Sequence, residues 1–133
     1  MNAFVFQLPN HPGELVKVTE AMAARGVNLL VYDLGPGDPG AVGLVASDDE
    51  TTRSTLGDLG VTFREIPVLT VRMEDKPGQA ASTSRRLADA GVNIELWLPV
   101  DTRPDNFVVA LGVDDMEAAR QAVSEQLTDW SYQ

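Results

Sequence analysis

The chain carries one pattern twice: Asn10-His11-Pro12-Gly13-Glu14-Leu15 with Gly26-Val27-Asn28-Leu29, and Asp75-Lys76-Pro77-Gly78-Gln79-Ala80 with Gly91-Val92-Asn93-Ile94. Both halves of the pattern recur at the same spacing of 65 positions, from 12 to 77 and from 26 to 91. An internal repeat of this kind sets the architecture of a chain. The sequence therefore predicts two copies of one unit, residues 1–66 and 67–133, joined at Pro67 almost without a linker.

Each copy has the residue pattern of a strand, a helix, two strands, a second helix and a last strand. Phe4, Phe6 and Leu8 alternate with polar or smaller residues, which is typical of a strand with one buried face. The predicted strands that follow are Val27–Leu34, Ala41–Ala46 and Val61–Ile66 in the first copy, and Val92–Leu98, Asn106–Leu111 and a segment near Thr128–Tyr132 in the second. The second helices are predicted at about Asp49–Asp58, expected to be the shorter, and at Asp114–Gln126.

Proline and glycine set the limits of the first helix in each copy. Pro12 and Pro77 are expected at the first helical position, where a missing N–H costs nothing. Gly26 and Gly91 are expected to end the helices as left-handed caps. The βαββαβ order predicts an α+β fold of two tandem ferredoxin-like units, each an antiparallel sheet covered on one face by helices.

The open face of each sheet is expected to carry an aromatic residue. Alternation from Val27 places Leu29 and Val31 under the helices and exposes Tyr32, and the same alternation in the second copy exposes Trp97. Phe63 matches Trp130 only if the second copy has two extra helical residues. The second strands are expected at the sheet edges, where unpaired backbone groups and apolar surface favour a homodimer.

Composition excludes several classes of protein. The 133 residues carry a net charge of −10 with a pI near 4.3, and Arg85-Arg86 is the only adjacent basic pair. Nucleic acids and anionic membranes are therefore not expected as partners. The absence of cysteine excludes disulfides, thiolate zinc sites and a cysteine nucleophile. Without a signal sequence or a membrane-spanning apolar run, the expected location is the cytoplasm.

Catalytic chemistry is not indicated. His11 is the only histidine, and no nucleophile or carboxylate accompanies it in a known catalytic pattern. Two acidic runs, Asp48-Asp49-Glu50 and Asp114-Asp115, lack the regularly spaced oxygen ligands of a calcium-binding loop. We interpret them as helix caps. We expect no catalytic residue, no metal site and no cofactor.

The order, spacing and duplication of the two motifs resemble the ACT domain family, over nearly the whole chain. The resemblance implies a non-enzymatic regulatory protein that binds a small ligand, most often an amino acid, between two ACT units. The site would combine the loop after the first strand of one unit with the second strand of another. Carried over, the candidate ligand-binding residues are Asn10, His11, Gly13, Glu14, Leu15 and Asn28 in the first copy, and Asp75, Lys76, Gly78, Gln79, Ala80 and Asn93 in the second.

Physical chemistry supports a ligand site at this motif but leaves other interpretations open. A glycine permits close approach to the backbone, and free N–H groups at a helix start favour a carboxylate. The side-chain oxygen of Asn28 or Asn93 could accept from an ammonium group. Alternatively, Pro-Gly is only a tight turn and the asparagines only satisfy nearby backbone groups.

Two other functions are weighed against the amino-acid sensor. The chain could be an interaction module that docks on a metabolic enzyme, or on itself, without binding a small molecule. A small enzyme is kept as a third hypothesis only because ferredoxin-like folds host catalysis elsewhere.

Overall fold

The computed structural model describes all residues from Met1 to Gln133 and divides into two compact units. The first contains residues 1–67 together with Ser131–Gln133, and the second contains Val68–Trp130. The sequence placed the last three residues in the second copy; in the structure they lie with the first unit, because they contact residues such as Asn28.

The first unit has the predicted order of elements. They are β1 (Asn2–Leu8), α1 (Glu14–Ala24), β2 (Leu29–Leu34), β3 (Gly40–Ala46), α2 (Asp49–Asp58) and β4 (Phe63–Pro67). The strands form one antiparallel sheet in the order β2-β3-β1-β4, so β2 lies at an edge as expected. Phe4, Phe6 and Leu44 pack with Val18 and Met22 of α1 into the core between the sheet and the helices.

The second unit repeats this order except for its last strand. Its elements are β5 (Leu69–Glu74), α3 (Gln79–Asp89), β6 (Ile94–Thr102), β7 (Asn106–Val113), α4 (Met116–Ala122) and a short 3₁₀ turn at Ser124–Gln126. The sheet has three antiparallel strands in the order β5-β7-β6, with β6 at an edge. Both units thus have the α+β architecture that the repeat predicts, except that the second sheet has three strands instead of four.

The fourth strand expected near Thr128–Tyr132 does not form. Only one bridge, between Val71 and Leu127, joins this segment to β5. Phe63 lies opposite Phe6 in the first unit, so Leu127, opposite Val71, occupies the place of Phe63. The expected match of Phe63 with Trp130 is therefore wrong, since the second unit has no extra helical residues to shift the register.

The second helices reverse the expected lengths. α2 has 10 residues, whereas α4 has 7 before the chain tightens into the 3₁₀ turn. The Asp48 side chain accepts from the N–H of Thr51, which caps α2. The buried hydroxyls of Thr52 and Thr55 bond to carbonyls one turn earlier, so the poor helix formers of α2 are satisfied inside the helix.

The first helices begin one residue after glycine, not at proline. Gly13 and Gly78 are the N-cap residues, with φ of 92° and 93°, and α1 and α3 start at Glu14 and Gln79. Pro12 therefore precedes the helix, contrary to expectation, because the left-handed glycine stands between them.

The first helices end as expected. Gly26 and Gly91 have φ of 70° and 73°, and the N–H of Val27 donates to the carbonyl of Met22 as in a Schellman motif.

The two aromatic residues of the second strands lie on different faces. Tyr32 pairs with Gly43 on the sheet face away from the helices, as expected. In β6 the register shifts between Ile94 and Leu96, so Trp97 pairs with Leu111 and packs against the helix-covered core. The prediction for Trp97 is wrong because a β-bulge inverts the alternation beyond it.

Candidate functional site

The first helix of each unit begins without a side-chain cap. At Gly13 and Gly78 no side chain accepts a hydrogen bond from the helix start, whereas Asp48 and Asp115 cap α2 and α4 in this way. A Cβ placed at Gly13 or Gly78 would meet no atom within 4 Å, so space lies next to both turns. The N–H of Glu14 lies 3.5 Å from the carbonyl oxygen of His11, and the N–H of Gln79 lies 3.4 Å from that of Lys76. No side chain accepts from these two helix starts, and N–H groups at a helix start favour an anionic group.

The loop of the first unit is closed by the hairpin between β2 and β3. The N–H of Asn10 donates to Asp38 Oδ1 over 3.2 Å. The loop and the hairpin enclose a cavity of about 60 Å³, lined by Asn10, His11, Glu14 and Asp33 among others. Such a cavity is far below the volumes of roughly 300 Å³ and more that small-molecule sites usually have.

The side chain of Glu14 lies next to two basic residues. The Glu14 carboxylate lies 3.0 Å from Lys17 Nζ and 3.4 Å from His11 Nε2. Leu15 is half-buried and packs against the core of the unit. Of the first-copy candidates, Leu15 is therefore a packing residue, and Glu14 already has a cationic partner in Lys17.

Asn28 lies at the opposite end of the sheet from its own loop. Its N–H donates to Ser47 Oγ over 3.0 Å, and its side-chain amide donates to the carbonyl of Gln133 over 3.3 Å. The six residues of β2 separate Asn28 from the loop end of the sheet, which corresponds to about 20 Å at a strand's usual rise. Within one unit the structure does not bring Asn28 together with Asn10, His11 or Gly13.

The loop of the second unit has the same form with different partners. The N–H of Asp75 donates to the carbonyl of Asp105 over 3.0 Å, and Lys76 Nζ pairs with Glu74 at 2.8 Å. Gln79 is half-buried, and Ala80 is exposed where the first copy has Leu15. Asp75 and Lys76 line a groove of about 740 Å³, whereas the cavity between Asn10 and the hairpin of the first unit has about 60 Å³.

Asn93 also lies at the far end of its unit from Gly78. Its N–H donates to Asp114 Oδ1 over 2.8 Å, and its carbonyl accepts from the N–H of Asp114 over 3.2 Å. Both asparagines therefore join the start of the second strand to the segment before the second helix. The sequence analysis did not identify Ser47, and it interpreted Asp114 only as part of a helix cap. Both are polar residues that directly follow the third strand of their unit.

A tyrosine pair belongs to the first unit. Burial raises the pKa of the Tyr32 hydroxyl, and the nearby Tyr132 raises it further. Tyr132 also lines, with Ser131, Met1 and Ser47, a cavity of about 250 Å³ near Asn28. The segment 131–133 is thus part of the surroundings of Asn28.

No helix of the protein is long and apolar enough to cross a membrane. No group of three or more histidine, aspartate or glutamate side chains is arranged to hold a metal ion.

Solved structures share the fold of the whole chain. A protein from Bacteroides thetaiotaomicron matches with a TM-score of 0.83 and 22% identity, over 96% of this chain and 90% of that one. The regulatory subunit of aspartate kinase from Thermus thermophilus, in a ligand-free form, matches with a TM-score of 0.64 and 22% identity, over 93% and 90%. Aspartate kinase from Synechocystis matches with a TM-score of 0.66 and 19% identity, over 99% of this chain but 26% of its own.

At these identities the resemblance establishes the tandem α+β fold. No family model and no curated protein matches the sequence.

Proposed function

We propose that the protein is a non-enzymatic regulator that binds an amino acid at its Pro-Gly loops. The observation that carries the proposal is the contrast in helix capping: α2 and α4 are capped by aspartates, whereas α1 and α3 begin at glycines without a side-chain cap. A ligand carboxylate at these two starts would accept the N–H bonds that no side chain takes and would meet the positive end of the helix dipole.

The second half of the ligand would be held by asparagine. Asn28 and Asn93 are exposed, and each carries a side-chain oxygen that can accept from an ammonium group. Because each asparagine lies a full strand length from the loop of its own unit, one ligand cannot touch both. The proposed site therefore combines the loop of one unit with the asparagine of another.

A regulatory role is supported by the function of another protein that has this fold. In Thermus thermophilus a protein with this fold, of nearly the same length, is the regulatory subunit of aspartate kinase. By analogy we propose that this chain acts on a metabolic enzyme in the cytoplasm, with the amino acid as its signal.

The partner in the assembly would be a second copy, bound through β2. This edge strand pairs regularly with β3 over six residues, contains no proline, and leaves Leu34 71% exposed. The second strand of the other unit, β6, carries two register shifts and Pro99, which lacks an N–H. Bulges and proline on an edge strand prevent sheet-to-sheet pairing, so of the two second strands β2 is the one suited to a two-fold contact.

A thermal-shift screen of the twenty amino acids tests the proposed function. A ligand at 100 times its Kd stabilises the folded state by about 2.7 kcal/mol, which raises the melting temperature by several degrees. We expect at least one amino acid to do so, and Asn93→Ala to reduce its effect. If no amino acid shifts the melting temperature and an enzyme co-purifies with the protein, the chain is an interaction module instead.

A further inference from the structure

The large groove of the second unit has the dimensions and chemistry of a separate binding site. Its volume of about 740 Å³ lies within the range of roughly 300–1,000 Å³ found for small-molecule sites. Its lining includes six charged side chains: Arg72, Glu74, Asp75, Lys76, Asp105 and Glu125.

One wall of the groove is held in place by Gln126. Its side-chain amide donates to Thr83 Oγ1 over 3.0 Å and accepts from Arg86 Nη1 over 3.1 Å. The N–H of Thr128 donates to the carbonyl of Thr70 over 3.0 Å, which fixes the same segment to β5. Glu125 therefore stands on a segment anchored on both sides.

The charges of the groove are only partly neutralised. Arg72 gives one hydrogen bond to Asn106 Oδ1 over 2.7 Å, and a guanidinium has five N–H donors. Lys76 is paired with Glu74, but the carboxylates of Asp75, Asp105 and Glu125 form no ion pair within the unit. The groove thus offers the guanidinium group of Arg72 to a carboxylate, and it offers unpaired carboxylates to cationic groups.

The repeat shows that the fold does not require these charges. The equivalent groove of the first unit has a volume of about 650 Å³ and is lined by Val5, Phe6, Leu8, Val61 and Phe63 among others, with Glu14 and Arg64 as its charged residues. Gln7 and Pro9 stand where the second unit has Arg72 and Glu74, and Val61 stands in place of Glu125 when the strands are aligned by their pairing.

We propose that this groove binds an α-amino acid with a cationic side chain, of which L-arginine is the probe. Arg72 would receive the α-carboxylate through a bidentate pair, and the acidic side chains would receive the ammonium and the side-chain cation. This site goes beyond the function proposed above because it lies within one unit and does not use Asn93, although Asp75 and Lys76 belong to both.

Isothermal titration calorimetry at low ionic strength tests the assignment with three probes. L-arginine carries all three charges, agmatine lacks the carboxylate, and L-citrulline lacks the side-chain charge. We expect L-arginine to bind on the order of tenfold or more tightly than either analogue, since hydrogen bonds between charged groups carry most of the recognition. Agmatine binding as tightly as L-arginine would overturn the proposal.

Variants locate the site. Arg72→Gln should weaken L-arginine on the order of tenfold and remove its advantage over agmatine. Arg85→Gln changes the same charge on an exposed helix position, and should leave binding unchanged. If L-arginine binding depends on Asn93 and not on Arg72, or if L-arginine does not bind while another amino acid stabilises the protein, the groove assignment is wrong and the proposed function stands. If no amino acid is bound at all, both are wrong.

Discussion

Arg53 holds Glu65 through two hydrogen bonds, 2.6 Å from Nε to Oε1 and 2.7 Å from Nη2 to Oε2. Glu65 Oε2 also accepts from the side-chain amide of Asn2 over 2.6 Å. One carboxylate of β4 is thereby joined to α2 and to β1. A bidentate guanidinium pair fixes geometry as well as charge, so this contact ties together the end of the first sheet and its second helix.

The first prediction concerns the pH dependence of stability. The hydrogen bonds from Arg53 are the main cause that lowers the pKa of Glu65 below its usual 4.5. A carboxyl with a lowered pKa in the folded state stabilises above the pKa of the unfolded chain and loses that contribution as pH falls. Denaturant unfolding should show Glu65→Gln less stable at pH 7 by about 1 kcal/mol, because the pair is partly solvated.

The same comparison at low pH is the control. Below about pH 4.5 the difference between the wild type and Glu65→Gln should shrink as Glu65 becomes protonated. A difference that stays constant down to pH 2.5 would show that the substitution acts through packing rather than through the charge.

The second prediction concerns the glycines of the two loops. Gly13→Ala and Gly78→Ala should each lower the free energy of unfolding by about 1 kcal/mol or more, because φ values of 92° and 93° disfavour any residue with a Cβ. A new Cβ meets no neighbour at either position, so the cost should be similar in both units.

Gly57→Ala is the matched control for this pair. Gly57 lies inside α2 with a negative φ and with open space around a Cβ. The substitution should raise the free energy of unfolding by about 0.5–1 kcal/mol, the gain of alanine over glycine in a helix. If all three alanine variants destabilise alike, the backbone argument for the loops is wrong.

The third prediction concerns the assembly. Light scattering at micromolar concentration should give twice the chain mass of 14.3 kDa for the wild type. Leu34→Lys places a charge on the β2 edge and should give the mass of one chain. Val16→Lys changes a residue on α1 that is 48% exposed, and it should leave the dimer intact. A wild type with the mass of one chain would contradict the dimer.

Much of the fold could be predicted because the sequence pattern of one unit occurs twice in the chain. Periods of two and of 3.6, with glycine and proline between them, gave the element order and the left-handed caps at Gly26 and Gly91. The position of Trp97 could not be predicted, because one extra residue in a strand has no marker in the sequence and inverts every side chain after it. The absence of the fourth strand could not be predicted either, since Leu127 and Trp130 are both apolar and the sequence does not show which of them lies beside β5.

The loops and the asparagines of the candidate site could be predicted individually, but their positions relative to one another could not. The loops follow from Pro-Gly, whose glycines adopt the left-handed conformation. That Asn28 bonds to Gln133 is a contact over 105 positions, which no local pattern encodes. The charged groove could not be predicted from the repeat, because Arg72 and Glu125 have the uncharged counterparts Gln7 and Val61 in the first copy.

An NMR titration tests the central claim most directly, that an amino acid binds at the Pro-Gly loops. The ¹⁵N-labelled protein would be titrated with the twenty amino acids singly, and the amide signals followed. The account predicts that at least one amino acid shifts the amides of Gly78, Gln79 and Ala80 together with that of Asn93, because the ligand joins a helix start to an asparagine. If every amino acid leaves these amides unmoved, the loops are turns and not ligand sites.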